Sequence, residues 1–407
     1  MTTAVLTNRL SSRATSIAEA ALPTAARLWY LTAVVGQLVF AFAVASFYTS
    51  AAVRGNFAAW NRFMPHGHVA GDTVGNVAVG VHLFAAVFII LSGAIQLVPQ
   101  LRQRVPSLHR WNGRLYMLSA FAVSLAGLHM MWVRGSLTDI TQRLGISLNA
   151  ALIMFCAVMA LRSAIGRDFK THRRWALRLF LVVGGVWFAR VGLSLSFLLF
   201  KGPVGFDPRT FQGPFLTFLS YASYLLPLAV LELYLRAERS GARARMVMAG
   251  GLLALTVAMG MGIFAATMVS WLPRIKAAYD GRTSIGQALS ATIASQGIDA
   301  AARQYHRLKA APRAAYNFDQ RELNLLGYEL MRARRYKEAI RVLELNVEAY
   351  PRSSNAYDSL GEAYLADGDK AQAIANYETS LQLDLTNRRA VQALQGLGAP
   401  SARVFSK

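Results

Sequence analysis

Seven stretches of about twenty mostly apolar residues dominate the first two thirds of the chain, near 28–50, 78–99, 112–133, 147–165, 176–200, 213–235 and 246–271. A helix of that length crosses the ~30 Å hydrocarbon layer of a bilayer. In hydrocarbon the backbone must bond to itself, which leaves only helices and closed barrels. The pattern therefore predicts an all-α fold whose first part is a polytopic bundle of about seven transmembrane helices over 28–271. Seven crossings put the two ends of the bundle on opposite sides of the membrane. A segment 1–27 with Arg9, Arg13 and Arg27 precedes the first stretch. Ala43-Val44-Ala45 has the small residues of a signal-peptidase site, but the apolar run continues to about Ala52. That is longer than the core of a signal peptide and predicts a retained anchor.

Charge divides the chain and orients it. Residues 1–271 hold 24 Lys and Arg against 7 Asp and Glu, whereas residues 272–407 hold 19 against 14. An apolar domain with basic loops is thus followed by one of ordinary soluble composition, with the boundary near Pro273. Counted by loop, 17 basic residues fall on the side of the N-terminus and 6 on the other, with Arg190 left inside a span. Cytoplasmic loops carry such an excess. The reading is a multi-pass protein of a bacterial cytoplasmic (inner) membrane, with segment 1–27 in the cytoplasm and the C-terminal domain in the periplasm. The net charge of +22 belongs to these short loops, so it points to a membrane and not to nucleic acid. The single cysteine, Cys156, excludes disulfides within the chain, cysteine-based zinc sites and covalent c-type haem. It lies in an apolar run and is expected to be packed or lipid-facing.

The C-terminal domain, 284–397, repeats itself. Residues 320–353 align with 354–387: Leu323 with Tyr357, Leu326 with Leu360, Gly327 with Gly361, Leu330 with Tyr364, Ala339 with Ala373, and Leu343 with Tyr377, while Pro351 closes the first unit. This spacing resembles the tetratricopeptide repeat, a 34-residue pair of antiparallel helices. Small residues at Gly327, Gly361, Ala339 and Ala373 let the paired helices cross closely, and the large ones fill the gap to the next unit. A less regular pair over Ser284–Ala311, broken at Gly297, puts Ala301, Tyr305 and Leu308 at second-helix positions. Residues 388–397 read as a capping helix and 398–407 as a disordered tail. The resemblance implies a surface that binds a protein or peptide partner; the alternative is a module that only stabilises or dimerises the protein. His306 reads as a surface residue.

Six of the seven histidines lie in the membrane part. Ionisable groups inside a span are costly and mark functional candidates. His82 and His129 are expected at one depth near the outer side, and His109 and His172 at the cytoplasmic edge. One pair per leaflet on facing helices is what bis-histidine haem b requires. Against this, His109 and His129 are 20 residues apart on one helix, roughly 30 Å, and His109 and His172 sit among Arg and Trp residues that suit an interfacial belt. His66 and His68 form a His-x-His that could join His82 and His129 around zinc or copper. Arg190, mid-span, needs an acceptor: Glu232, backbone carbonyls or a bound anionic group. Glu232 has Arg236 as a competing partner.

Several stretches read together resemble an uncharacterised family of membrane proteins, domain of unknown function 2306. They are Gly80-Val81-His82-Leu83, Gly93 to Pro99, Leu101 to Tyr116 with His109-Arg110 and Gly113-Arg114, His172-Arg173-Arg174-Trp175 with Arg178, and Arg190. The resemblance covers about 75–235 and implies His82, Gln96, His109, Arg114, His172 and Arg190 as motif residues; it implies no activity. No nucleophile elbow, His-Glu-x-x-His or phosphate loop occurs, so no reaction is assigned. Three readings stand: a membrane anchor whose repeats recruit a partner, a b-type cytochrome, and a small transporter. Broken helices would favour the last, and the Gly184-Gly185 and Gly250-Gly251 pairs are read here as close packing.

Overall fold

The membrane half has few acidic residues, and three of them start helices. In the computed structural model, which describes residues 2–64, 66–69, 71–134, 139–207, 211–310 and 315–399, Asp72 accepts from Gly75 N at 2.8 Å, Asp139 from Gln142 N at 2.8 Å, and Asp168 from Thr171 N at 3.0 Å. Each satisfies an amide that a first helical turn leaves orphaned. The helices they open are α2 (Thr73–Gln96), α5 (Ile140–Ile165) and α6 (Phe169–Val183). Proline at the first turn opens the short α3 (Pro99–Arg104), α4 (Pro106–Trp132) and α8 (Pro214–Ala237), where its missing N–H costs nothing.

The chain forms two units, residues 1–279 and 280–407. In the first, α1 (Thr2–Val53) packs along α9 (Ala242–Ala266), and α2 along α4. Next, α5 packs on α6 and α8, and α7 (Gly185–Phe200) lies between α8 and α9. Among the described residues six helices are long and apolar enough to cross a membrane, and the bent pair α6–α7 passes the same test as one unit, giving up to seven. Large apolar side chains such as Leu31, Val35 and Phe42 of α1 and Leu118 and Leu125 of α4 face outward, as hydrocarbon permits and water does not.

Several boundaries differ from the expected ones. The segment before the first span continues into it as one helix, through Pro23. The fifth span is broken, with α6 and α7 meeting at Gly184 at an angle of 50°. Gly184 and Gly185 do pack closely, against Gln37 and Asn149, but the same residues also end one helix and start the next. The last span runs on past Pro273 through a π-helical turn (Thr267–Trp271) into α10 (Leu272–Tyr279). A π turn carries one extra residue, and here it coincides with the seating of Trp271, 0% exposed, in the core.

The second unit is a set of helix pairs: α11 (Ile285–Gln296) with α12 (Ile298–Ala310), α13 (Gln320–Arg332) with α14 (Tyr336–Ala349), and α15 (Ser354–Asp367) with α16 (Lys370–Leu383). A last helix, α17 (Arg388–Gly396), packs on α16. The first helices α11, α13 and α15 lie side by side, and α12 lies against α14. Gly297 breaks the first pair with φ 81° and Gly368 the third with φ 94°, conformations glycine adopts without strain. A Cβ on Gly327 would lie 2.7 Å from Leu343, and one on Gly361 3.1 Å from Tyr377. Ala339, Leu360, Ala373 and Tyr377 are buried, Tyr357 is half-buried and Pro351 is exposed in the turn after α14. The hydroxyl of Tyr364 donates to Glu344 at 3.0 Å. The only strands among the described residues are Thr283–Ser284 and Tyr316–Asn317, paired in parallel. Ala399, within the tail expected to be disordered, is packed against the α16–α17 core; residues 400–407 lie outside the described residues.

Candidate functional sites in the membrane unit

His82 and His129 are not brought together. Because Asp72 starts α2 at Thr73, His82 lies nine residues into that helix, whereas His129 lies three before the end of α4. The His82 ring rests on the α4 backbone: Nδ1 is 3.1 Å from the Val123 carbonyl, and a Cβ on Gly127 would lie 3.3 Å from Cε1. His129, two residues on, is turned roughly 200° around α4. Bis-histidine ligation needs a macrocycle between the two imidazoles, and α2 and α4 touch at this level. This pair does not fit a haem. A carbonyl only accepts, so Nδ1 of His82 carries the proton and Nε2 keeps its lone pair.

His109 and His172 do share one end of the bundle, within electrostatic reach of each other. Each lies in the first turn of its helix, α4 and α6, and not outside the span as expected. Nδ1 of His172 meets the Ala160 carbonyl at 2.9 Å. The backbone carbonyl of His109 accepts from Gln96 Nε2 at 3.1 Å. Asn112, which sequence reasoning passed over, is the hub of this end. Its Nδ2 donates to Gln96 Oε1 at 2.8 Å and to the Ser92 carbonyl at 3.0 Å, and its Oδ1 accepts from Ser92 Oγ at 2.9 Å. Gly113 is a glycine for a reason: a Cβ there would lie 2.8 Å from Gln96 Nε2. The guanidinium of Arg114 stacks on Trp111 at 4.8 Å and that of Arg178 on Trp175 at 4.7 Å.

Arg190 finds no carboxylate. Glu232 pairs instead with Arg178, at 2.6 Å from Nη2 and 2.9 Å from Nε. Arg190 Nη1 donates to the Val186 carbonyl of its own helix at 3.2 Å, and the guanidinium lies 5.3 Å above the Phe40 ring of α1. Its electrostatic neighbours are Arg274 and Tyr48, and it stands within reach of His82. The motif residues therefore divide into two groups, Gln96, His109, Arg114 and His172 at one end and His82 with Arg190 deeper in the bundle. Along α2 these groups are 14 residues apart, roughly 21 Å.

Among the described residues His66 and His68 join no group of three metal-ligating side chains. The His68 ring stacks on Phe57, and its backbone is held by Asn61, which accepts from His68 N at 2.8 Å and donates to its carbonyl at 3.0 Å. Pro65, between His66 and Met64, lies outside the described residues. Among the described residues no three His, Cys, Asp or Glu side chains gather as metal ligands would. Cys156 is buried and free. His306 is exposed, 3.6 Å from Glu348.

Residues 79–235 match the family described as predicted membrane protein, DUF2306. With the spans above, this makes the chain a multi-pass membrane protein. The matched stretch contains His82, Gln96, His109, Arg114, His172 and Arg190, and excludes α1, the whole of the last span and the second unit. The description names no activity. No curated protein and no solved structure matches.

Proposed function

We propose that this is a membrane-anchored docking protein. Seven crossings hold an array of tetratricopeptide-like repeats in the periplasm of a bacterium, and the array binds a peptide segment of a protein partner. The observation that carries the reading is the stacking of three helix pairs, two of them at the 34-residue spacing, with the first helices side by side. On the middle one, α13, Asn324 Oδ1 is buried without a partner, one turn before Tyr328. An unpaired amide oxygen next to a tyrosine suits the N–H of an extended peptide. Tyr328 itself is tied to α15 through Glu362, and burial first, then that carboxylate, hold its phenol above the usual range.

Photo-crosslinking tests the partner reading. A photoreactive phenylalanine analogue at Asn324 should give a discrete adduct in intact cells, and the same group at Arg341 on α14 should not. No adduct at 324, or the same adducts from both positions, would sink it. Orientation rests on the excess of basic residues on the N-terminal side. Because Cys156 is buried, Arg352→Cys offers one accessible thiol. A membrane-impermeant maleimide should label it in cells whose outer membrane has been opened, whereas Arg104→Cys should react only after the inner membrane is broken. The reverse pattern would place the repeats in the cytoplasm. The break at Gly184 favours the transporter as a second reading, since crossings built from two half-helices recur in that class.

A further inference from the structure

Hydrogen-bond donors of α7 and of the last span meet around one stretch of α1, and among the described residues no carboxylate pairs with them. Phe40 marks the place. Arg190 of α7 lies over its ring, and Trp271 of the π turn packs against it with centroids 5.5 Å apart. One turn earlier on α1, Gly36 receives Trp187, three residues before Arg190. A Cβ on Gly36 would lie 2.7 Å from Cζ2, on the N–H side of that indole. Trp187 and Trp271 are 2% and 0% exposed, and neither indole N–H has a partner. An indole nitrogen can only donate. Arg190 bonds only to the Val186 carbonyl, which leaves most of its donors free.

Charge points the same way. Arg274, within electrostatic reach of Arg190, donates to Ser270 at 2.7 Å, and its buried Nε has no partner. Two cations therefore face one region of the bundle without an acid. Asp72 is 3.4 Å from Arg134 and Glu232 is with Arg178, so neither carboxylate is available. Like charges in a low-dielectric interior repel, and unpaired donors there cost free energy, unless a ligand brings oxygen atoms and negative charge. Arg190 itself is exposed while the two indoles are buried. Ten residues separate Arg190 from the far end of α7 at Phe200, roughly 15 Å. That depth lies below the headgroups of a ~30 Å layer and suits a small solute better than a lipid.

We infer that Arg190, Trp187 and Trp271 form an oxyanion site inside the bundle, which takes the carboxylate or phosphate of a small solute, with Arg274 adding a second positive charge. The site stands on the bundle alone and does not depend on what the repeats bind.

The test is thermal unfolding of the full-length protein in detergent, titrated with sodium phosphate and with sodium acetate against sodium chloride at equal ionic strength. One of the two anions is expected to raise Tm by several degrees toward saturation. Trp271→Phe keeps an aromatic ring and deletes the N–H, so the half-saturating concentration should rise about tenfold. Arg190→Gln should abolish the shift. If Arg190→Gln fails to fold, Trp271→Phe and Trp187→Phe carry the test, because both keep an aromatic ring in place. No rise beyond that of chloride, or the same rise in all variants, overturns the site. Mixed micelles containing phosphatidylglycerol separate the sources of the anion. A shift with them and none with the soluble anions would overturn the small solute and assign the site to a headgroup.

Discussion

Gly327→Ala is expected to destabilise the second unit, and Leu343→Ala to remove that penalty. In an exposed helix interior, glycine to alanine gains about 1 kcal/mol. At Gly327 the new Cβ would lie 2.7 Å from both Cγ and Cδ2 of Leu343, which is fully buried. Overpacking of this kind costs about 1–3 kcal/mol, so the net effect should be a loss of up to about 2 kcal/mol. Leu343→Ala alone should cost about 3 kcal/mol through lost burial and the cavity it leaves. In that background the clash is gone, and Gly327→Ala should become neutral or mildly stabilising. The two changes are therefore coupled by about 2 kcal/mol, as residues in contact can be. Amide exchange of peptides within 320–349, measured by mass spectrometry on the full-length protein, reads the local opening free energy. Additive effects of the two substitutions would mean that α13 and α14 are not locked by this contact. The repeat reading would then lose its main packing element.

Hydropathy and the 34-residue spacing made most of the architecture legible, because a span must be long and apolar and because close helix crossings demand small residues at fixed intervals. What stayed hidden depended on where helices begin and which way they turn. Asp72 starts α2 five residues before the apolar run seemed to begin, and this alone moved His82 away from the depth of His129. The helical rotation between Gly127 and His129 then separated the pair. Gly184-Gly185 reads the same in sequence whether it packs or breaks a helix; here it does both. Asn112 carried a signal, a polar residue between Trp111 and Gly113 beside an apolar run, but its partners Ser92 and Gln96 come from another helix. The unpaired indoles of Trp187 and Trp271 left no trace in sequence, since tryptophan in a span is ordinarily read as packing or as part of the interfacial belt.

Glu232→Leu is expected to be among the most damaging single substitutions in the membrane unit. Glu232 was expected to serve Arg190 or Arg236, and the structure gives it instead to Arg178 from α6. Removing one partner of a buried pair costs about 3–5 kcal/mol, because the other charge is left uncompensated. Here the side chains are 22% and 42% exposed, so solvent and the stacking of Arg178 on Trp175 reduce this to about 2–3 kcal/mol. Glu232→Gln keeps an acceptor oxygen and should lose less. The informative variant is the double one. With Arg178→Leu and Glu232→Leu together, both charges leave the bundle, and the pair of leucines should be less destabilising than Glu232→Leu alone. Thermal unfolding in detergent and the monodisperse fraction after extraction measure this. Equal or additive losses would show a solvated bridge with little hold on α6 and α8. The same cycle run with Arg236 or Arg190 should show no coupling to Glu232, and coupling there in place of Arg178 would contradict the arrangement of α6 against α8.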